Sequence, residues 1–289
     1  MKLHNTEIIS FLSFPDNNRK ISLFTLSAII FLMLILLPAE GELTDKRESF
    51  PVVRIPILLY HRFGPSVADG MTVTTTVFES HLKYLRDNGY TVIPLRQLVD
   101  YYSGKGLPIP LRSVVIAADD GHKTVYTDMF PLVKKYHIPV TLFLYPSAIS
   151  NATYAMTWDQ LSDMKKTGLF SFQSHSYWHP NFNKDKKRLK PAEYEKFVEM
   201  QFEKSKEKLE KELNVKVDML AWPFGIYDDD LIGKAIKAGY MAAFTIERRH
   251  TNTSDNIMTL PRYLMVNADK GKVFDRILAG SPPQRKVNY

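Results

Sequence analysis

The sequence predicts an α/β fold: one domain whose parallel strands close into a barrel, preceded by a separate N-terminal segment. Three observations predict it. Beyond residue 50, strand-like and helix-like segments alternate about six or seven times with no break in composition. The central strand-like runs are short and almost wholly apolar, the pattern of strands buried on both faces. The chain has 289 residues, 45% of them apolar, and barrels of this kind run to roughly 250 residues as single domains.

The elements follow in chain order. Residues 21–37 are apolar apart from Ser22, Thr25 and Ser27, with Arg19 and Lys20 before them and Pro38 after. That run just reaches the roughly 17 residues that span a bilayer. Residues 1–41 therefore read as a signal anchor or a signal peptide, Ala39 and Gly41 being the small residues of a cleavage site. Either way Arg19 and Lys20 stay inside and the remainder is exported, held at the membrane by this segment or secreted. Residues 42–50 read as a charged linker and 51–289 as the folded domain.

Within the domain, residues 52–60 are β-branched and apolar and predict a strand. Residues 77–88 repeat apolar side chains at helical spacing through Phe78, Leu82 and Leu85 and stop at Gly89. A strand at 90–93, a helix at 95–103 and a Gly/Pro-rich turn at 104–110 follow. Residues 113–118 form a buried-strand run ending in Asp119-Asp120-Gly121. Next come a helix at 124–136, a strand at 140–145, a helix at 158–167 and a strand at 169–174. Pro191 opens a long charged helix to residue 213. A strand at 219–222, a helix at 228–238 and strands at 241–245 and 258–266 complete the pattern.

Composition narrows the chemistry. There is no cysteine, which removes thiolate nucleophiles, Cys-ligated zinc and iron–sulfur clusters, so any metal must rest on His, Asp or Glu. No Gly-rich dinucleotide motif or P-loop follows a strand. The net charge is +7, and because the three basic and three acidic residues of 1–41 cancel, it belongs to the rest of the chain. It reads as solubility conferred by lysine-rich helices. The densest basic run, Lys184, Lys186, Lys187, Arg188 and Lys190, reads as a solvated loop without the interleaved aromatics of a nucleic-acid groove, so no nucleic-acid partner is expected.

In a parallel barrel the chemistry lies at the carboxyl ends of the strands, and four places qualify. Asp119-Asp120 follows an apolar strand, so one carboxylate can ligate a cation while the other accepts a proton, although a plain Asp-Gly turn fits as well. His175 and His179, four apart after a strand, reach one side of a turn or helix, and with a carboxylate they make a His₂-carboxylate site. Trp222-Pro223-Phe224-Gly225 offers either an N–H for an oxyanion and an aromatic face for a sugar, or a loop packed by its own rings. His61, ending the first strand, reads as an acid or base or as a structural histidine.

These motifs carry a resemblance. Residues 114–149, with DDGHKTVYTDMFPLVKKYHIPVTLFL at their centre, together with His175-x-x-x-His179, Pro223-Phe224-Gly225 and the opening PILLYHRF at 56–63, resemble the polysaccharide deacetylase family, the NodB-homology carbohydrate esterases. The resemblance covers about residues 50–267, and the forward position of His61 is similar to the branch that deacetylates poly-β-1,6-N-acetylglucosamine. It implies a distorted (β/α) barrel and hydrolytic N-deacetylation of an exported or cell-envelope polysaccharide. It also implies a divalent metal on Asp120, His175 and His179, Zn2+ first, with Co2+, Ni2+ or Fe2+ also suited to such ligands. Asp119 is then the base, the Phe224 N–H an oxyanion donor beside Trp222, and His61 the acid for the leaving amine. The arginine that many relatives carry before Pro-Tyr is absent here, and Arg262 is expected to provide that charge to Asp119. The implied partner is an N-acetylated polysaccharide, with the enzyme a monomer. O-acetylated xylan-like glycans, peptidoglycan, chitin oligomers and non-catalytic glycan binding stay open as alternatives.

Overall fold

Seven parallel strands build the central sheet: β1 (Ile57–Tyr60), β2 (Ser113–Asp119), β3 (Val140–Leu144), β4 (Phe170–Ser174), β5 (Met219–Ala221), β6 (Ala242–Phe244) and β7 (Tyr263–Leu264). They come from a computed structural model that describes residues 53–283; the leader expected at 1–41 and the linker expected at 42–50 lie outside the described residues. Among the described residues no helix is long and apolar enough to cross a membrane.

The order across the sheet is β6-β5-β4-β3-β2-β1-β7, every neighbouring pair parallel. The sheet curls until its two edges meet through the last segment. The Leu260 N–H donates to the Ala243 carbonyl at 2.9 Å, the Thr245 N–H donates to the Leu260 carbonyl at 2.8 Å, and Tyr263–Leu264 pair with Leu58–Leu59. This is the distorted barrel the sequence predicts, closed along one thin seam.

Among the described residues eight helices flank the strands: α1 (Thr75–Asp87), α2 (Leu95–Tyr102), α3 (Phe130–Tyr136), α4 (Trp158–Lys166), α5 (Phe182–Arg188), α6 (Pro191–Leu213), α7 (Asp229–Lys237) and α8 (Lys272–Leu278). Side chains alternate across each strand. Val114, Ile116 and Ala118 of β2 join the large core under the helices, whereas Val115 and Ala117 join Ile57, Phe143, Ala221 and Phe244 inside the barrel. Leu95, Leu98 and Val99 of α2 belong to that inner cluster and fill the end where the strands begin. The opposite end, where the strands finish, is left for chemistry.

Proline explains three departures from the sequence reading. The first predicted strand breaks at Pro56 into Arg54–Ile55, antiparallel to Thr251–Asn252, and β1. The strand expected at 258–266 is a 3-10 turn at Ile257–Thr259 followed, past Pro261, by the two residues of β7. The helix expected at 124–136 begins as a π-turn at Val125–Met129 because Pro131 has no N–H to close the regular ladder. Two short helices were not expected. In α5 the basic run predicted as a loop is helical, with Phe182 buried and the Asn181 side chain capping the first turn, although its lysines do face solvent. In α8 three residues, Phe274, Ile277 and Leu278, anchor a helix of a single apolar side.

One buried histidine couples fold to pH. His81 on α1 accepts from the Tyr60 hydroxyl at Nδ1 (2.9 Å), donates from Nε2 to the Asp269 carbonyl (2.6 Å) and stacks on Phe274 at 4.0 Å. Burial holds its pKa at about 4, against an ordinary 6.5. The unfolded chain therefore takes up this proton first, and the contribution is full above pH 6.5 and lost as pH falls toward 4, amounting to roughly 3 kcal/mol. The His81→Gln variant is expected to unfold with a shallower loss of stability across that window, measured by urea titration at stepped pH; an unchanged slope would contradict the assignment.

Candidate active site

Strand parity delivers the site. Continuing the inward register of β1, β2 and β4 by one step places His61, Asp119 and His175 over the barrel interior, at the end where all three strands finish. Together with Asp120, His179, Trp222 and Phe224 they line one cavity of about 290 Å³, completed by Arg62, Met71, Tyr145 and Ile246.

Asp119 lines this cavity and Arg262 braces it from behind. The guanidinium donates from Nη1 to Oδ1 and from Nη2 to Oδ2, each at 2.8 Å, and from Nε to the Thr245 carbonyl at 2.9 Å. Arg262 is 0% exposed and lies 5.2 Å over the Phe143 ring. Burial alone would raise the pKa of Asp119, but Arg262, with the neighbouring histidines, holds it below the usual carboxylate range. Asp119 is thus ionised, with one lone pair on each oxygen given to Arg262 and the other free to accept.

Asp120, His175 and His179 stand beside it. One ligand atom from each lies within 4.8 Å of the others. His175 Nε2 is 3.6 Å from both Asp119 Oδ2 and Asp120 Oδ1, and His179 Nε2 is 3.9 Å from Asp120 Oδ1. These gaps are too long for hydrogen bonds but suit donors arranged roughly 2 Å from a shared ion. The Nδ1 of His175 donates to the Ala221 carbonyl at 2.8 Å, which leaves the Nε2 lone pair turned toward the carboxylates. Burial, and then His175, push the His179 pKa down to about 4, so its imidazole is neutral. The neutral imidazole of His179, the Nε2 of His175 and one carboxylate form the donor set of a divalent metal, and the residues present fit one.

The loop after β4 is a turn, not a helix, and it is held from behind. Gln201 of α6, fully buried, accepts with Oε1 from the N–H groups of Tyr177 (3.2 Å) and Trp178 (3.1 Å). Four of the eight non-glycine residues with positive φ among the described residues lie in this site: Asp120 (73°), Ser176 (63°), His179 (58°) and Phe224 (55°). Such conformations persist only where surrounding bonds fix them, and they concentrate at sites that need pre-set geometry.

His61 is buried, with its Nδ1 lacking a partner. Desolvation lowers its pKa, against the raising effect of Asp120 and Asp119. Phe224 is 39% exposed, its ring 4.4 Å from His179. The next residue must be glycine: Gly225 has φ 67°, and a Cβ there would lie 2.5 Å from Ile246 Cγ1. Trp222 corrects the expectation of a sugar-facing ring. It is 1% exposed, donates from Nε1 to the Met258 carbonyl at 2.9 Å and packs edge-on against Phe202, so it shapes the cavity wall without presenting a face. His137 only fills a left-handed turn at the end of α3.

The family described as Polysaccharide deacetylase matches residues 108–243. The chain is similar to the poly-β-1,6-N-acetyl-D-glucosamine N-deacetylase of Staphylococcus epidermidis, 30% identical over 215 residues that make up 71% of each chain. It is 29% identical to the protein of that name from Staphylococcus aureus, over 67% of this chain and 68% of the relative. Among solved structures it shares its fold with the Streptococcus pyogenes deacetylase PplD in complex with acetate (TM-score 0.70, 23% identity, 80% of this chain and 100% of that one). IcaB from Ammonifex degensii is similar to the same degree (TM-score 0.69, 23% identity, 80% and 97%).

Proposed function

The chain belongs to the polysaccharide deacetylase family, whose named relatives are hydrolases of a carbon–nitrogen bond, and from that premise we propose that it removes N-acetyl groups from poly-β-1,6-N-acetylglucosamine. The observation that carries the reading is one cavity in which an Arg262-braced Asp119 faces the converging Asp120, His175 and His179. The polymer is chosen on the 30% identity to the staphylococcal enzyme. The apolar run at 21–37 supports action outside the cytoplasm, at the membrane or free of it.

Asp120, His175 and His179 would hold the divalent metal, zinc being the first choice for this donor set. When bound there, such an ion supplies Lewis acidity and a lowered pKa for water. The rest falls to the chain's own groups. Asp119 accepts the proton of the attacking water as its oxygen bonds to the acetamide carbon. Arg262 keeps the carboxylate charged and aimed. The Phe224 N–H donates to the oxygen on which charge develops. His61 gives a proton to the nitrogen as the carbon–nitrogen bond breaks, leaving acetate and a free amine.

Acetate release from defined β-1,6 and β-1,4 N-acetylglucosamine oligomers and from acetylated xylan tests the reading. Preference for the β-1,6 series is expected; preference for xylan would make the protein an O-acetyl esterase. The His61→Ala variant is expected to lose roughly 10²-fold in kcat. The acidic form of His61 becomes scarcer as pH rises, and burial moves that loss to lower pH, so the same variant should flatten the alkaline limb of the pH–rate profile. A limb identical to that of the parent enzyme would remove His61 from the role.

A further inference from the structure

The chain after Asp120 is zipped to a loop that the proposed reaction leaves unused. The Met156 N–H donates to the Gly121 carbonyl at 2.9 Å, the Lys123 N–H donates to the Tyr154 carbonyl at 2.8 Å, and His122 and Ala155 form an antiparallel bridge between them. Gly121 suits this turn: its φ is 73°, and a Cβ would lie 2.9 Å from both Ile149 Cδ1 and Leu144 Cδ2, packed beneath it. Tyr154 therefore sits in fixed register with a residue of the candidate metal site. Its ring lies nearly parallel to His122 (15°, centroids 6.2 Å apart), and its hydroxyl is 2.8 Å from that of Tyr145. Tyr145 is a wall of the cavity, its ring 5.5 Å from His179.

Tyr154 stays 42% exposed despite this bracing. Core packing does not account for a large ring that is braced by His122 and Tyr145 and still this exposed. Its place at the rim, one ring beyond Tyr145, fits a neighbour of whatever occupies the cavity. A pyranose presents an apolar face of C–H groups flanked by hydroxyls, and an amphipathic tyrosine ring matches both.

We infer that Tyr154 is the platform for the hexosamine unit adjoining the one that reacts, and that it makes the cavity favour a polymer segment over an isolated acetyl group. This rests on the hexosamine-polymer reading above. The test compares kcat/KM for acetate release from a β-1,6-linked N-acetylglucosamine pentasaccharide with that for a chromogenic acetate ester, on the metal-loaded enzyme. In Tyr154→Ala the oligosaccharide-to-ester ratio is expected to fall roughly threefold to tenfold, through KM on the oligosaccharide, the range an aromatic contact contributes. Tyr154→Trp and Tyr154→Phe, which keep a ring, are expected to hold most of the ratio. A parental ratio in Tyr154→Ala would overturn the inference, as would an equal loss in all three variants, which would point to the hydroxyl contact with Tyr145. If the parent enzyme cleaves the ester yet releases no acetate from any glucosamine oligomer, the substrate reading itself falls.

Discussion

Asp119→Asn is expected to lower acetate release by roughly 10²- to 10⁴-fold, the contribution of a positioned general base, without emptying the metal site. The amide preserves shape but cannot accept the proton of water, and it places an NH₂ against a guanidinium that now has one acceptor fewer. Asp119 lies beside the candidate ligand set, not within the triad of Asp120, His175 and His179. His175→Ala, in contrast, removes a donor and is expected to lower metal content itself. Elemental analysis of the two purified variants beside their acetate release separates the roles. Retained turnover in Asp119→Asn would end its assignment as base, and equal metal loss in both would make it a ligand.

Arg262→Ala is expected to have the largest effect on the fold. The arginine is fully enclosed and makes three hydrogen bonds, two of them to a carboxylate that is itself buried. Removing one partner of such a pair leaves an uncompensated charge and typically costs about 3–5 kcal/mol. For a domain of this size that corresponds to a fall of roughly 10 °C in Tm. The Asp119 pKa, relieved of the guanidinium, should rise, because burial then acts with less opposition. Activity should accordingly fade at a higher pH on the acid side. Arg262→Lys keeps the charge but not the paired geometry, and an intermediate result is expected. A Tm and an acid limb both unchanged in Arg262→Ala would show that the pair does not brace the site.

The legible part of this architecture is the part written in short-range pattern. The apolar runs that become β2 and β3 are legible as buried strands, and Asp119-Asp120 and His175 are readable as strand-end chemistry because inward parity runs to the last residue of β2 and to one residue past β4. Arg262 is readable only as a missing charge to be found somewhere; its distance of 143 positions from Asp119 is bridged by barrel closure, which no local pattern encodes. Gln201 left a signal that can be read in retrospect. It is a polar side chain on the buried stripe of α6, between Val198 on one side and Phe202 and Ser205 on the other, and a buried amide needs partners. Tyr145 and Tyr154 left none, since their hydroxyl contact is set by the His122–Ala155 bridge beside Gly121 and not by any local pattern. Trp222 was misleading because a Trp before Pro-Phe-Gly suits a sugar platform and a wall packed on Phe202 equally well, and only burial separates the two.

On the proposed mechanism, a metal held by Asp120, His175 and His179 is needed for deacetylation by this chain. The most direct measurement strips the purified enzyme with a chelator, verifies by elemental analysis that the metal is gone, and follows acetate release from a β-1,6-linked N-acetylglucosamine oligomer before and after a stoichiometric zinc return. The expected result is release that disappears with the metal and reappears at one ion per chain. Undiminished release from verified metal-free enzyme would contradict the account.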